Sequence, residues 1–160
     1  MKSEEVVRSE EWGVLFVCSG NTCRSAMAAA LFAAQAGGGW LIESGGLSAA
    51  RGAPATGEAV AALAQVGIDL SRHRSKPVED IALERFPLAL VMTAEHRREF
   101  LKRFPRMEGK VYLLSEMAGE SGDVSDPFGS DAGVYAQTAA QITDYLQRGW
   151  PKMVKLARLE

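Results

Sequence analysis

A short apolar run that leads into a cysteine-containing loop is the strongest constraint on the fold. Residues 13–17 (GVLFV) carry no polar side chain, which is typical of a strand buried on both faces of a parallel sheet. Residues 18–25 (CSGNTCRS) form the loop. Residues 27–36 are rich in alanine and leucine, which favour a helix, and the glycines at 37–39 end it. This order predicts one strand, loop and helix unit of an α/β fold.

The same alternation continues along the chain. Further strands are predicted at residues 40–44, 88–92 and 110–114, and further helices at 56–66, 94–104 and 131–146. Strands separated by helices pair in parallel through right-handed crossovers. The sequence therefore predicts an α/β, three-layer doubly wound fold with a roughly four-stranded parallel sheet. In the helix at 94–104, Glu95, His96 and Arg97 are predicted to face water.

Size and composition favour a single domain spanning residues 1–160. The core is predicted at about residues 13–148, with short extensions at both ends from which Trp12 and Trp150 pack on the core. A net charge of −2 gives no general signal for nucleic acid or membrane binding.

The chain shows no signal peptide and no apolar run of membrane-spanning length. Its two cysteines lie in one loop rather than in a disulfide framework, so we expect a reducing, cytoplasmic location.

The loop at residues 18–25 suits an oxyanion. It follows the carboxyl end of a strand and leads into the start of a helix, where backbone N–H groups and the helix dipole favour negative charge. Cys18 and Arg24 stand at its two ends, so the guanidinium can hold two phosphate oxygens while its charge favours the thiolate form of Cys18. Gly20 permits the turn, and Ser25 is expected to donate a hydrogen bond to the sulfur.

Residues 17–25 (VCSGNTCRS), together with Asp126-Pro127, resemble the signature of the low-molecular-weight protein tyrosine phosphatase family. The resemblance implies Cys18 as nucleophile, Arg24 as phosphate clamp and Asp126 as the acid that protonates the leaving group. It implies phosphorylated proteins and phosphate or related oxyanions as partners, and no metal or cofactor. The remaining positions that it assigns to loop structure or phosphate binding are Ser19, Gly20, Asn21, Thr22, Cys23 and Ser25. The chain departs from many relatives at Ala26, where they have proline, and at Ala29, where they have an acidic residue.

Position 22 bears on which phosphorylated residue is the substrate. Tyrosine-directed relatives commonly carry an aliphatic β-branched residue there, whereas this chain has Thr22. A phosphoarginine guanidinium carries N–H donors that need acceptors when buried, and Thr22 and Asp126 supply oxygens. Phe128 can close the pocket over either substrate, but the Phe128-Gly129 pair makes a shorter wall than the usual aromatic pair. These residues resemble the bacterial protein arginine phosphatase branch, with protein tyrosine phosphatase as the alternative.

Several other interpretations use the same residues. Cys23 either packs beneath the loop or forms a reversible disulfide that shields Cys18 from oxidation. Asp123 competes with Asp126 as the acid, and Asp-Pro is also a common turn opener. The two cysteines, His73 and His96 would supply the four ligands of a zinc site, but the two histidines lie in unrelated segments of the sequence. Both histidines are therefore expected to be surface or hydrogen-bonded structural residues. Arsenate reduction on this scaffold needs further cysteines downstream, and the chain has none after Cys23. A phosphoprotein-binding module would not need both a nucleophile and an acid, and this chain has both.

Overall fold

The structure, a computed structural model, describes residues 10–160, and the first nine residues of the predicted amino-terminal extension lie outside the described residues. Within that part of the chain, no helix is long and apolar enough to cross a membrane. Short 3₁₀ turns connect several of the main elements. In chain order, those elements are β1 (Trp12–Cys18), α1 (Arg24–Ala36), β2 (Trp40–Gly46), α2 (Gly57–Ala64), β3 (Leu88–Val91), α3 (Ala94–Arg103), β4 (Val111–Leu113), α4 (Ala132–Arg148) and α5 (Trp150–Leu156).

The four strands form one parallel sheet in the order β2-β1-β3-β4. Residues 14–17 of β1 are fully buried, which explains their continuous apolar run. Phe16 packs into the core cluster that contains residues of α1, α2 and α4, whereas Val17 packs into the cluster on the other face, with Phe100 of α3. Helices therefore cover both faces of the sheet, and the predicted three-layer α/β fold is confirmed.

Three predicted helix starts are confirmed by their caps. The side chain of Thr56 accepts a hydrogen bond from the backbone N–H of Ala59 at the start of α2. Thr93 accepts one from the N–H of His96 at the start of α3, and Asp131 caps α4 in the same way. Each cap satisfies a backbone donor that a helix end leaves unpaired.

The carboxyl-terminal segment corrects the prediction that the chain beyond about residue 148 is an extension of the core. Met153 in α5 and Ala157 after it are fully buried. The carbonyl of Ala157 accepts a 2.9 Å hydrogen bond from the N–H of Gly13, so the tail pairs with the start of β1. Trp150 packs against Phe32 and Trp40, as predicted for its ring. The segment is thus part of the core.

Candidate active site

The loop at residues 18–25 lies where β1 ends and α1 begins. Cys18 is the last residue of β1 and is 1% exposed, and Arg24 is the first residue of α1. The segment after β2 holds the start of the loop, because the N–H of Ser48 donates a 2.9 Å hydrogen bond to the carbonyl of Ser19. Gly46 allows this approach, since a Cβ there would lie 2.5 Å from that carbonyl oxygen. Sequence reasoning missed Gly46.

Asn21 fixes the middle of the loop. Its φ of 57° lies in the left-handed region, where asparagine is better tolerated than most residues. The fully buried side chain donates to the hydroxyls of Ser25 at 2.8 Å and Ser44 at 2.9 Å, and it accepts from the N–H of Lys76 at 3.0 Å. His73 Nε2 donates to the backbone carbonyl of Asn21 at 2.6 Å. This network holds the loop in one conformation.

The two ends of the loop bring the predicted nucleophile and clamp together. Cys18 Sγ lies 2.9 Å from Ser25 Oγ in a buried hydrogen bond. Arg24 is 5% exposed, and one terminal nitrogen donates to the carbonyl of Val124 at 2.9 Å. Its Nε is buried with no hydrogen-bond partner among the described residues. That unpaired donor fits an oxyanion held in the loop.

Asp126 lies beside this clamp on the loop before α4. Its carboxylate is 3.6 Å from a terminal nitrogen of Arg24, and its side chain is 53% exposed. Its Oδ1 accepts a 3.0 Å hydrogen bond from the N–H of Phe128, which orients the carboxylate. Phe128, two residues further on, is 69% exposed. Thr22 is half-buried, and its carbonyl accepts from the N–H of Thr56.

Asp123, the competing acid, has a different environment. Its Oδ1 accepts a 2.9 Å hydrogen bond from the N–H of Ala94, in the first turn of α3. The next residue, Val124, donates its N–H to the carbonyl of Met92 at 2.8 Å. Asp123 therefore fastens the loop that carries Asp126 to the start of α3.

The two cysteines differ in their surroundings. Both are free and buried, and Cys23 Sγ lies 3.8 Å from Asp126 Oδ1. Burial, and then the proximity of Cys18, raise the pKa of Cys23 to about 11, so its thiol stays protonated near neutral pH. Cys23 is thus poorly suited to be the nucleophile. The reversible disulfide with Cys18 stays a prediction.

Comparison with known proteins decides the family. The profile of the low molecular weight phosphotyrosine protein phosphatase family matches residues 13–157. This chain belongs to that family. It is therefore an enzyme, a cysteine-based phosphatase, and the match extends through α5, in agreement with the burial of the carboxyl-terminal segment.

The relatives of this phosphatase carry two kinds of name. It is 39% identical to a protein-arginine-phosphatase of Bacillus subtilis over 139 residues, covering 84% of this chain and 92% of the relative. It is 40% identical to EpsP of Ralstonia solanacearum, named a probable low molecular weight protein-tyrosine-phosphatase, over 136 residues, covering 85% and 89%. Among solved structures, a mutant of the YwlE arginine phosphatase with a phosphorylated active-site serine superimposes with a TM-score of 0.82, at 38% identity, covering 89% of this chain and 95% of that one.

His96 of this phosphatase is a further correction, because it was predicted to face water. It is only 6% exposed, and its Nε2 lies 2.9 Å from Ser19 Oγ. Burial, and then the positive charge of Arg24, lower its pKa to about 4, so the imidazole is neutral near pH 7. Among residues 10–160, no group of three or more His, Cys, Asp and Glu side chains is placed to hold a metal ion.

This depressed pKa predicts a pH-dependent stability. Unfolded histidine titrates near pH 6.5 and folded His96 near pH 4, so between these values the unfolded state binds more protons. The contribution of His96 is therefore complete above pH 6.5 and is lost as the pH falls toward 4. Relative to His96→Gln, the wild type should lose about 2–3 kcal/mol of unfolding free energy between pH 7 and 4.5. Urea unfolding at both pH values measures this, and parallel pH curves for the two proteins would contradict it.

Proposed function

We propose that this phosphatase hydrolyses phosphoarginine on proteins, with Cys18 as nucleophile. The single observation that carries the substrate assignment is Thr22, a half-buried hydroxyl in the phosphate loop that makes no side-chain hydrogen bond to another described residue. A buried guanidinium N–H without an acceptor weakens binding, and Thr22 Oγ1 offers such an acceptor. Phosphorylated proteins are then the partners and phosphate is a product. A cytoplasmic location suits a nucleophile that must stay reduced.

The first chemical step transfers the phosphoryl group to sulfur. The Cys18 thiolate attacks phosphorus, the bond from phosphorus to the leaving nitrogen breaks, and Asp126 protonates that nitrogen. Arg24, whose buried Nε has no hydrogen-bond partner in residues 10–160, and the N–H groups of the loop hold the phosphate oxygens as charge shifts among them.

The second step releases phosphate. Water attacks phosphorus, the bond to sulfur breaks, and Asp126 accepts the proton of the attacking water. Ser25, 2.9 Å from the sulfur, donates a hydrogen bond that stabilises the departing thiolate. The YwlE mutant supports the covalent route, because in that protein a serine in place of the cysteine carries the phosphate.

Two further observations support phosphoarginine over phosphotyrosine. The Asp126 carboxyl group is half-exposed beside Arg24; in its protonated form, one oxygen can accept a hydrogen bond from the substrate guanidinium while the other donates its proton to the leaving nitrogen. Gly129 follows Phe128, which leaves a shorter aromatic wall for a phenyl ring. The arginine phosphatase of Bacillus subtilis has 39% identity, but the Ralstonia relative has 40% and is named a tyrosine phosphatase. Tyrosine phosphatase activity is therefore the second candidate.

Substitution of Thr22 tests the substrate assignment. Removing the hydroxyl with Thr22→Ile should lower the ratio of kcat/KM on phosphoarginine to that on phosphotyrosine peptides by at least about tenfold. Thr22→Val isolates the hydroxyl because valine has nearly the same shape, and Thr22→Ser keeps the hydroxyl as the matched control. Cys18→Ser is the blank.

The comparison uses peptides that differ only in the phosphorylated residue. We expect the wild type and Thr22→Ser to prefer phosphoarginine, and the isoleucine and valine variants to lose that preference. An equal preference before and after substitution would refute the role of Thr22. A wild type that turns over phosphotyrosine faster would favour the tyrosine phosphatase alternative.

A further inference from the structure

The first turn of α3 touches the phosphate loop through one side chain. His96 reaches from α3 to Ser19, the residue that follows Cys18, and its Nε2 lies 2.9 Å from Ser19 Oγ. The start of α3 is itself fixed, because Thr93 caps it through the N–H of His96 at 3.0 Å. The imidazole is therefore held by a rigid element while Ser19 belongs to a loop.

The protonation state of His96 decides which atom donates the hydrogen bond between His96 and Ser19. Its Nδ1 is buried and has no hydrogen-bond partner in the part of the chain that the structure describes. A neutral imidazole carries one proton, and a buried N–H without a partner is rarer than an unpaired acceptor. The favoured tautomer therefore places the proton on Nε2, which donates to Ser19 Oγ. The charged groups around the imidazole of His96 are Arg24 of α1, Asp123 and Asp126 of the loop before α4, and Glu95 of α3 itself.

Most other side-chain hydrogen bonds of the loop involve its middle and end. Asn21 is bonded to Ser25, Ser44 and Lys76, all of which fix the middle and end of the loop. At the beginning of the loop, the carbonyl of Ser19 accepts from the N–H of Ser48. Among the described residues, the contact with His96 is the only side-chain hydrogen bond of Ser19. Without it, the first turn of the loop keeps only its backbone anchor.

We propose that His96 is a positioning residue for phosphoryl transfer, acting through Ser19 to hold the first turn of the phosphate loop beside the nucleophile. Backbone N–H groups stabilise a transition state only when they are aimed before the reaction begins. Loss of the contact should therefore lower kcat more than it raises KM. The inference rests on the proposed role of Cys18 and is independent of the choice between phosphoarginine and phosphotyrosine.

The first turn of α3 also contacts the loop that carries Asp126, which we call the acid loop. Asp123 accepts from the N–H of Ala94, two residues before His96. The start of α3 is thus bonded to the loop that carries Cys18 and to the loop that carries Asp126. A helix that contacts both loops fixes their relative placement, on which proton donation to the leaving group depends.

A double-mutant cycle tests the proposal with His96→Leu, Ser19→Ala and the combined variant. We expect His96→Leu to lower kcat by about tenfold, with a smaller change in KM. His96→Gln, whose amide can place an N–H near the position of Nε2, should restore most of that loss. In the Ser19→Ala background, His96→Leu should cause no further loss, because its effect passes through Ser19. Arg98→Ala, on the exposed face of α3, is the matched control and should leave kcat unchanged in both backgrounds.

The outcomes separate this inference from the proposed function. Additive effects of the two substitutions, or no rescue by glutamine, would overturn the positioning role. Ser19 is exposed, so Ser19→Ala is expected to fold even if His96→Leu does not, and an unchanged kcat in Ser19→Ala would also overturn it. If Cys18→Ser is inactive while the effects are additive, only the positioning role fails. If Cys18→Ser remains active, the proposed mechanism fails and the inference fails with it.

Discussion

Cys18→Ser should lower kcat/KM on a phosphorylated peptide by at least about four orders of magnitude. A serine hydroxyl is a far weaker nucleophile than a thiolate, because it keeps its proton near neutral pH. Ser25 Oγ, 2.9 Å from the sulfur, can donate a hydrogen bond but cannot remove a proton effectively. The loss should lie in kcat, because Arg24 and the loop that bind phosphate are unchanged. Phosphate release at saturating substrate measures it.

The matched substitution is Cys23→Ser, five residues further along the same loop. Because burial keeps the Cys23 thiol protonated, with a pKa of about 11, its replacement should lower turnover far less than Cys18→Ser. The thermal unfolding temperatures of both variants, compared with that of the wild type, check that each variant still folds. Comparable losses in the two variants would show that integrity of the loop, rather than nucleophilic attack by Cys18, accounts for the activity.

The sequence predicted the parts of this fold that depend on local pattern. The apolar run of β1 identifies a central strand because both of its faces are buried. The helix starts at Thr56, Thr93 and Asp131 were predictable because each of these residues has the short polar side chain that caps favour. The candidate loop was predictable for the same reason, since Cys18 to Ser25 are contiguous.

Contacts between distant segments could not be predicted in this way. His96 lies between Glu95 and Arg97, so its own surroundings in the sequence indicate a water-facing position. It is buried instead, and its hydrogen-bond partner is Ser19, 77 residues earlier in the chain. Gly46 is required by the carbonyl of Ser19, and no local turn pattern indicates that requirement. Tertiary contacts override local polarity at these positions.

The carboxyl-terminal helix shows a different limit. Its lysines and the proline after Trp150 resemble a solvated tail, yet proline is well tolerated in the first turn of a helix. Met153 and Ala157 are spaced by four residues and lie on one face, which packs against the core. A helix of two turns gives too short a periodic pattern to be distinguished from a tail by sequence alone.

Asp126→Asn should lower the rate of phosphoryl transfer from a phosphopeptide by about 10²–10⁴-fold, because the leaving group then departs without a proton. The loss should depend on the leaving group. Nitrophenyl phosphate releases a nitrophenolate, a much weaker base that needs little protonation, so its first step should slow far less. Pre-steady-state measurement of that first step is required, because Asp126 also serves as base in the hydrolysis of the cysteinyl phosphate.

Asp123→Asn is the matched control, since it removes a carboxylate three residues away on the same loop. Asp123 accepts a hydrogen bond from Ala94 at the start of α3, and the amide oxygen of asparagine can accept the same bond, so Asp123→Asn should change the rates on both substrates little and by a similar factor. Asp126→Asn should instead slow the peptide selectively. If Asp126→Asn slows both substrates equally, or if Asp123→Asn slows the peptide selectively, Asp126 is not the acid.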